Sequence, residues 1–230
     1  KVFILDGIKQ LLLSIIIGLP ILFASLWIIG NLGSLWWLWL WVFISLFNFS
    51  MLSLYPVYIA PLFNKFEPLG NAKLKTKIEK LLLRCGFKSS GLFVMNGSLR
   101  SNHGNAYFTG FGKSKRIVFF DTLLEKLTPN EIEAVLAHEL GHFHHEHVKK
   151  RIGLMFFISF IGLYILGGLK ESAWFYEGLG VYNLNDANAI LLFLLVSPLF
   201  LFFIRPIIAY YSRKNEFEAD EYACKFTKPA

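Results

Sequence analysis

Residues 10–64, QLLLSIIIGLPILFASLWIIGNLGSLWWLWLWVFISLFNFSMLSLYPVYIAPLFN, contain no Asp, Glu, Lys or Arg. A helix needs about 20 apolar residues to cross a bilayer, so this stretch is long enough for two spans. The turn-forming run Gly30-Asn31-Leu32-Gly33-Ser34 divides it. The second span opens on Trp36, Trp37, Trp39 and Trp41 and closes near Tyr55-Pro56 or Pro61, as an aromatic belt at a membrane interface does. Two further uncharged stretches, 152–169 and 187–204, are each long enough to cross. Pro20 and Pro198 fall inside spans, where proline is better tolerated than in soluble helices. The predicted architecture is a mainly α integral membrane protein with about four transmembrane helices and a small α+β domain.

Composition agrees. Of 230 residues, 55% are hydrophobic and 17% charged, against about 25% charged in ordinary soluble domains. That excludes a disordered chain and a small secreted scaffold. Cys85 and Cys224 form no C-x-x-C pair, so neither a disulfide framework nor a thiolate zinc site is expected. The formal charge of +7 is confined to 65–151, which holds 15 Lys/Arg against 8 Asp/Glu. A basic segment flanked by spans points to a cytoplasmic face and anionic lipid, and nucleic acid is not an expected partner. Lys149-Lys150-Arg151 abuts the third span, while 170–186 carries Lys170 against Glu171, Glu177 and Asp186. Residues 65–151 and the tail are therefore expected in the cytoplasm, with 170–186 outside. A chain that begins at Lys1 and stops at Pro229-Ala230 reads as a piece of a longer protein, and residues 1–30 have no signal-peptide pattern.

The expected organisation is two transmembrane helices in 1–64, a cytoplasmic α+β region in 65–151, a transmembrane hairpin in 152–211 and a helix in 212–230. Within 65–151, residues 73–84 read as an amphipathic helix and 92–95, 105–111 and 116–120 as short strands. A turn at Gly112-Lys113-Ser114-Lys115 joins the last two. Thr128-Pro129-Asn130-Glu131 is a capping box with proline at the first helical position. The stripe Ile132, Val135, Leu136, Leu140 and Phe143 then predicts a helix reaching about Lys150.

That helix carries His138-Glu139-Leu140-Gly141-His142. Histidines at i and i+4 share one face and can bind one Zn²⁺, while a residue rotated about 100° from the first reaches the open side of the metal. Glu139 can there take the proton of a zinc-activated water. The ordinary alternative is a solvated histidine-rich helix, since five of the six histidines fall in 138–147. The strong cap and the small neighbours Ala137 and Gly141 favour the metal. Catalytic zinc takes three protein ligands. Glu146 lies eight residues, about 12 Å, along the helix from His138, too far to join. The parity of the spans returns the tail to the same side, where Glu216 and Asp220 share a helical face and Glu218 points away from it. Glu216 can there bind the metal while Asp220 accepts a hydrogen bond from a ligand histidine's other N–H; the ordinary alternative, favoured for the tail by itself, is an exposed acidic turn.

The sequence resembles the integral-membrane CAAX prenyl protease 1 family of zinc metalloproteases. The likeness is carried by Tyr55-Pro56 with Pro61 to Phe66, the run Ser101 to Gly112, the run Lys115 to Leu124, the H-E-L-G-H helix, and Ser212-Arg213 with Glu216 to Asp220. The resemblance implies His138, His142 and Glu216 as ligands of one zinc per chain, Glu139 as general base and Asp220 behind the ligands. It also implies that Asn105, Ala106 and Tyr107 bind the substrate as an added strand, in line with strand addition to sheet edges. The expected activity is endopeptidase cleavage near the C-terminus of prenylated or other membrane-associated substrates. The setting would be the endoplasmic reticulum membrane of a eukaryote or the inner membrane of a bacterium. Quality control of membrane proteins is the alternative. A non-catalytic scaffold or channel is less favoured, since the spans carry no ionisable residue before Arg205. Family members have further membrane helices before this region and a downstream histidine motif that stabilises the oxyanion; both lie outside these 230 residues. His144 and His145 are expected to be exposed, His147 to be structural, and His103 has no assigned role.

Overall fold

A computed structural model describes residues 2–109 and 115–227. Two compact units emerge, one built from residues 3–49 with 150–211 and the other from 50–149 with the chain from Ser212 onward.

The first unit is helical. Leucine, isoleucine and aromatic residues without interrupting charge form α1 (Val2–Asn31) and α2 (Trp36–Leu54), joined by a 3-10 turn over Gly33–Leu35. Gly33 has φ 63, a left-handed conformation that a side chain would strain. Helix α7 (His147–Leu169), a short α8 (Ala173–Glu177) and α9 (Asp186–Phe226) follow later in the chain. Val2–Asn31, Gly33–Phe63, His147–Leu169 and Asp186–Phe226 are long and apolar enough to cross a membrane. Their packing is local and aromatic. Trp37 meets Phe160 and Tyr164 edge-on at 5.5 and 5.2 Å, and Trp41 Nε1 donates to the Phe156 carbonyl at 3.1 Å. Lys170 pairs with Asp186 at 3.0 Å. Large side chains such as Phe3, Phe23, Leu199 and Phe203 remain exposed, as lipid-facing residues are.

The second unit takes in the last residues of α2, which gives way to a π-helical turn, Tyr55–Ile59, and α3 (Ala60–Phe63). Four strands follow: β1 (Phe66–Pro68), β2 (Leu92–Met95), β3 (Ala106–Thr109) and β4 (Arg116–Phe120). Their order is β1-β2-β4-β3, with β2 and β4 parallel and both outer pairs antiparallel. Helix α4 (Ala72–Arg84) is capped by the Asn71 side chain, α5 (Asp121–Lys126) follows β4, and α6 (Pro129–His144) starts at the Thr128–Glu131 capping box. Ile78, Leu81, Ile117, Phe119, Ile132 and Leu136 form the core between sheet and helices, joined by Tyr222 and Ala223 of α9.

Three readings change. The strand predicted over 105–111 is Ala106–Thr109, and residues 110–114, with most of the predicted turn, lie outside the described residues. Strand β1 was not foreseen, because three residues ending in proline carry no alternation to read. The helix predicted to reach Lys150 ends at His144, and α7 starts afresh at His147. Glu146 between them has φ 56, the left-handed conformation that closes helices. Its N–H donates to the Phe143 carbonyl at 3.2 Å, and that of His145 to Gly141 at 3.0 Å. Ring contacts made by His147 accompany the break. The fourth span and the tail are one continuous helix, α9, of 41 residues.

Candidate metal centre

Two helices build the centre. On α6, His138 and His142 stand one turn apart with their rings edge-on and the centroids 4.8 Å from each other. On α9, Glu216 and Asp220 lie one turn apart on a common face. The helices meet where side chains vanish: a Cβ on Gly141 would lie 2.8 Å from the Cα and 2.9 Å from the carbonyl oxygen of Ala219. Ala219 is fully buried and sits between the two acids in sequence. The Gly141–Ala219 contact therefore brings both carboxylates onto the histidines.

The donor atoms form a nearly equilateral triangle. His138 Nε2 to His142 Nε2 is 3.2 Å, His138 Nε2 to Glu216 Oε2 is 3.3 Å, and His142 Nε2 to Glu216 Oε2 is 3.5 Å. A tetrahedral ion about 2.0–2.1 Å from nitrogen and oxygen ligands separates them by about 3.3–3.4 Å. Proton placement agrees. An ionised carboxylate only accepts, so Asp220 Oδ1, 2.7 Å from His138 Nδ1, takes the ring's N–H and leaves a lone pair on Nε2. That lone pair and a Glu216 oxygen then face a common point, as the ligands of a shared cation do. The residues fit a metal.

Glu139 is half-buried in the next position of α6. Burial raises its carboxyl above the usual range; the adjacent His138 opposes the rise and the Glu216 charge adds to it. Burial likewise lowers the basicity of His142, with Glu216 opposing. Glu216 is 54% exposed, so solvent reaches this side of the centre.

A second set of contacts was not legible in the sequence. His147 is 5% exposed; its Nδ1 lies 2.8 Å from His142 Nδ1 and its Nε2 lies 2.9 Å from Glu218 Oε2. A hydrogen bond from His147 holds the Glu218 carboxyl below its ordinary range. The spacing from 142 to 147 gave no signal, because i and i+5 stand about 140° apart on a continuous helix. His144 is exposed as expected, but His145 is partly covered, with its ring 5.5 Å from that of His147. The N–H of His103 donates to Ser101 Oγ, and its carbonyl accepts from Thr122 Oγ1 at 2.8 Å.

Asn105, Ala106 and Tyr107 lie at and just before the start of β3, an edge strand packed against α6. The Asn105 carbonyl accepts from Phe120 N–H of β4 at 2.9 Å. Antiparallel ladders alternate, so Tyr107 also faces β4, while the backbone groups of Ala106 and Phe108 face the outer edge. There the Asn105 side chain already accepts the Ala106 N–H at 2.8 Å. The Tyr107 ring stands edge-on to Phe120 at 6.2 Å.

The sequence profile described as peptidase family M48 matches residues 68–230, and the one described as the CAAX prenyl protease N-terminal region, with five membrane helices, matches 1–65. The CAAX prenyl protease 1 homolog of Arabidopsis thaliana is 37% identical over 231 residues, covering 97% of this chain and 53% of that protein. CAAX prenyl protease 1 of Saccharomyces cerevisiae is 34% identical, covering 98% and 53%. The crystal structure of S. mikatae Ste24p superposes with a TM-score of 0.86 at 35% identity, covering 98% of this chain and 56% of that one. The chain thus spans about half the length of the curated relatives it matches. With its apolar helices and these likenesses, it is part of an integral, multi-pass membrane protein. Matched over more than half of its length by that family's profile, this chain belongs to peptidase family M48.

Proposed function

We propose that this chain holds the catalytic centre of a membrane zinc metalloendopeptidase acting near the C-terminus of prenylated, CAAX-type or other membrane-associated proteins from the cytoplasmic side. The observation that carries the reading is the triangle of His138, His142 and Glu216, with edges of 3.2 to 3.5 Å. These three residues would hold one zinc ion. Bound there, zinc supplies Lewis acidity, which makes water nucleophilic near neutral pH and polarises a peptide carbonyl.

The chain's own residues do the rest. Asp220 accepts the Nδ1–H of His138 and keeps its ring turned toward the centre. Glu139 takes the proton from the attacking water and hands it to the amide nitrogen as the C–N bond breaks. The edge strand β3 receives the substrate as an extended strand; because the Ala106 N–H is held by the Asn105 side chain and Ala106 is buried, the Phe108 backbone offers the pairing groups, with Asn105 and Tyr107 shaping the edge. Prenylated substrates are suggested by the names of the relatives, CAAX prenyl protease 1.

The test measures zinc per chain and hydrolysis on detergent-purified protein. One zinc in the parent and much less in Glu216→Ala is expected. Glu139→Gln should keep the metal and lose cleavage by a factor of about 10² or more. Full cleavage by Glu139→Gln would remove it as the base. A prenylated C-terminal peptide and an unprenylated misfolded membrane protein, offered in parallel, separate CAAX processing from quality control.

A further inference from the structure

We propose that His147 and Glu218 form a positioning relay behind His142, holding its ring in the one tautomer that can ligate a metal; this rests on the metal-binding reading above. A neutral imidazole has one N–H and one lone pair. If Nε2 of His142 gives its lone pair to a metal, Nδ1 must carry the hydrogen and needs an acceptor. His147 Nδ1, 2.8 Å away, is positioned to be that acceptor. Accepting there puts the hydrogen of His147 on Nε2, and Glu218 Oε2 is 2.9 Å from that atom. A carboxylate can only accept, so it polarises the chain in a single direction. Asp220 does the same for His138 in one step, at 2.7 Å. The two ligand histidines thus have separate supports, one direct and one through a second ring.

The backbone is shaped for this. On an uninterrupted helix His147 would stand about 140° around from His142. The left-handed Glu146, with φ 56, breaks α6 from α7 and brings the His147 ring under His142. Glu218 comes from α9, two residues beyond Glu216, so one helix supplies both a candidate ligand and the far end of the relay.

His145, His147 and Glu218 also offer donor atoms within 4.8 Å of one another, as a second metal trio would. The two uses of His147 exclude each other. A metal on its Nε2 would place the hydrogen on Nδ1, and His142 Nδ1 would then have to accept. The hydrogen of His142 would move to Nε2 and abolish its ligand lone pair. The relay therefore predicts one metal per chain, not two.

The experiment measures zinc affinity by chelator competition, and the visible spectrum of the cobalt-substituted protein, on the full chain in detergent. His147→Phe should weaken zinc by about 10–100-fold, the range for loss of a ligand's outer partner, and should alter the cobalt bands. His147→Asn, whose side-chain oxygen can still accept from His142, should recover most of the affinity. Glu218→Ala should weaken zinc less than His147→Phe, and the double variant should be no weaker than His147→Phe alone. Glu218 is partly exposed on α9, so its variant decides the matter if His147→Phe fails to fold. Unchanged affinity and spectrum in these variants, additive losses in the double variant, or two zinc ions in the parent would overturn the relay. A folded parent without zinc would overturn the metal-binding reading itself.

Discussion

Gly167 in the membrane-helix unit and Gly141 in the site-bearing unit mark the same kind of close approach, made against different things. A Cβ on Gly167 would come 2.8 Å from Cδ1 of Trp37, an atom of a side chain. A Cβ on Gly141 would come equally close, 2.8 Å, to the Cα of Ala219, which is backbone. Cγ and Cβ of Trp37 lie 3.0 and 3.3 Å from the same point, so the whole side chain must shift, which a helix facing fluid lipid can accommodate. A backbone moves only with its whole helix, and here that helix carries Glu216 and Asp220. The membrane unit is held by adaptable aromatic edges such as Trp37 on Phe160 and Tyr164. The site unit also has aromatic edges, but at Gly141 it adds a backbone contact without slack.

Substitutions at the two glycines test this contrast directly. Ordinary carbon contacts begin near 3.4 Å, so Gly141→Ala must push α9 away by about 0.6 Å. Metal ligands tolerate about 0.2 Å. The expected result is a fall in zinc affinity of about 10–100-fold, read by chelator competition in protein that still folds. Unchanged affinity would show that α9 carries its acids with more freedom than the packing suggests. Gly167→Ala should cost about 1 kcal/mol of stability, at the low end of overpacking, and leave zinc content untouched. A loss of zinc in that variant would break the contrast.

The smallest effect concerns Tyr222, which lines the site unit's helix contact beside Gly141. Burial, aided by a hydrogen bond with Cys85, pushes its phenol up to about 12. Folding thus favours the neutral phenol. Its contribution is intact below the ordinary value of about 10 and drains away as the pH climbs toward 12. Tyr222→Phe should flatten the fall in melting temperature across that window, measured by intrinsic fluorescence. An identical fall in both proteins would assign it to other groups.

Local patterns carried much of the molecule. Uncharged runs of helix length announce membrane spans, because hydrocarbon admits little else. The Thr128–Glu131 capping box and the i, i+4 histidines are decided within a turn or two of helix, so they can be read without knowing what surrounds them. Asn71, by contrast, caps α4 without having announced itself as a helix start. Strand β1 went unread for the same reason of weak local signal.

Sequence alone therefore determined the membrane class, the four spans, the α+β region and the pairing of His138 with His142 on one helical face. Only tertiary structure decided how near α9 comes to α6, because a glycine's lack of a side chain matters only when another backbone arrives. Tertiary structure also decided the break at Glu146 and the seat of His147, since a left-handed residue outside glycine is sustained by what packs around it rather than by its own preference.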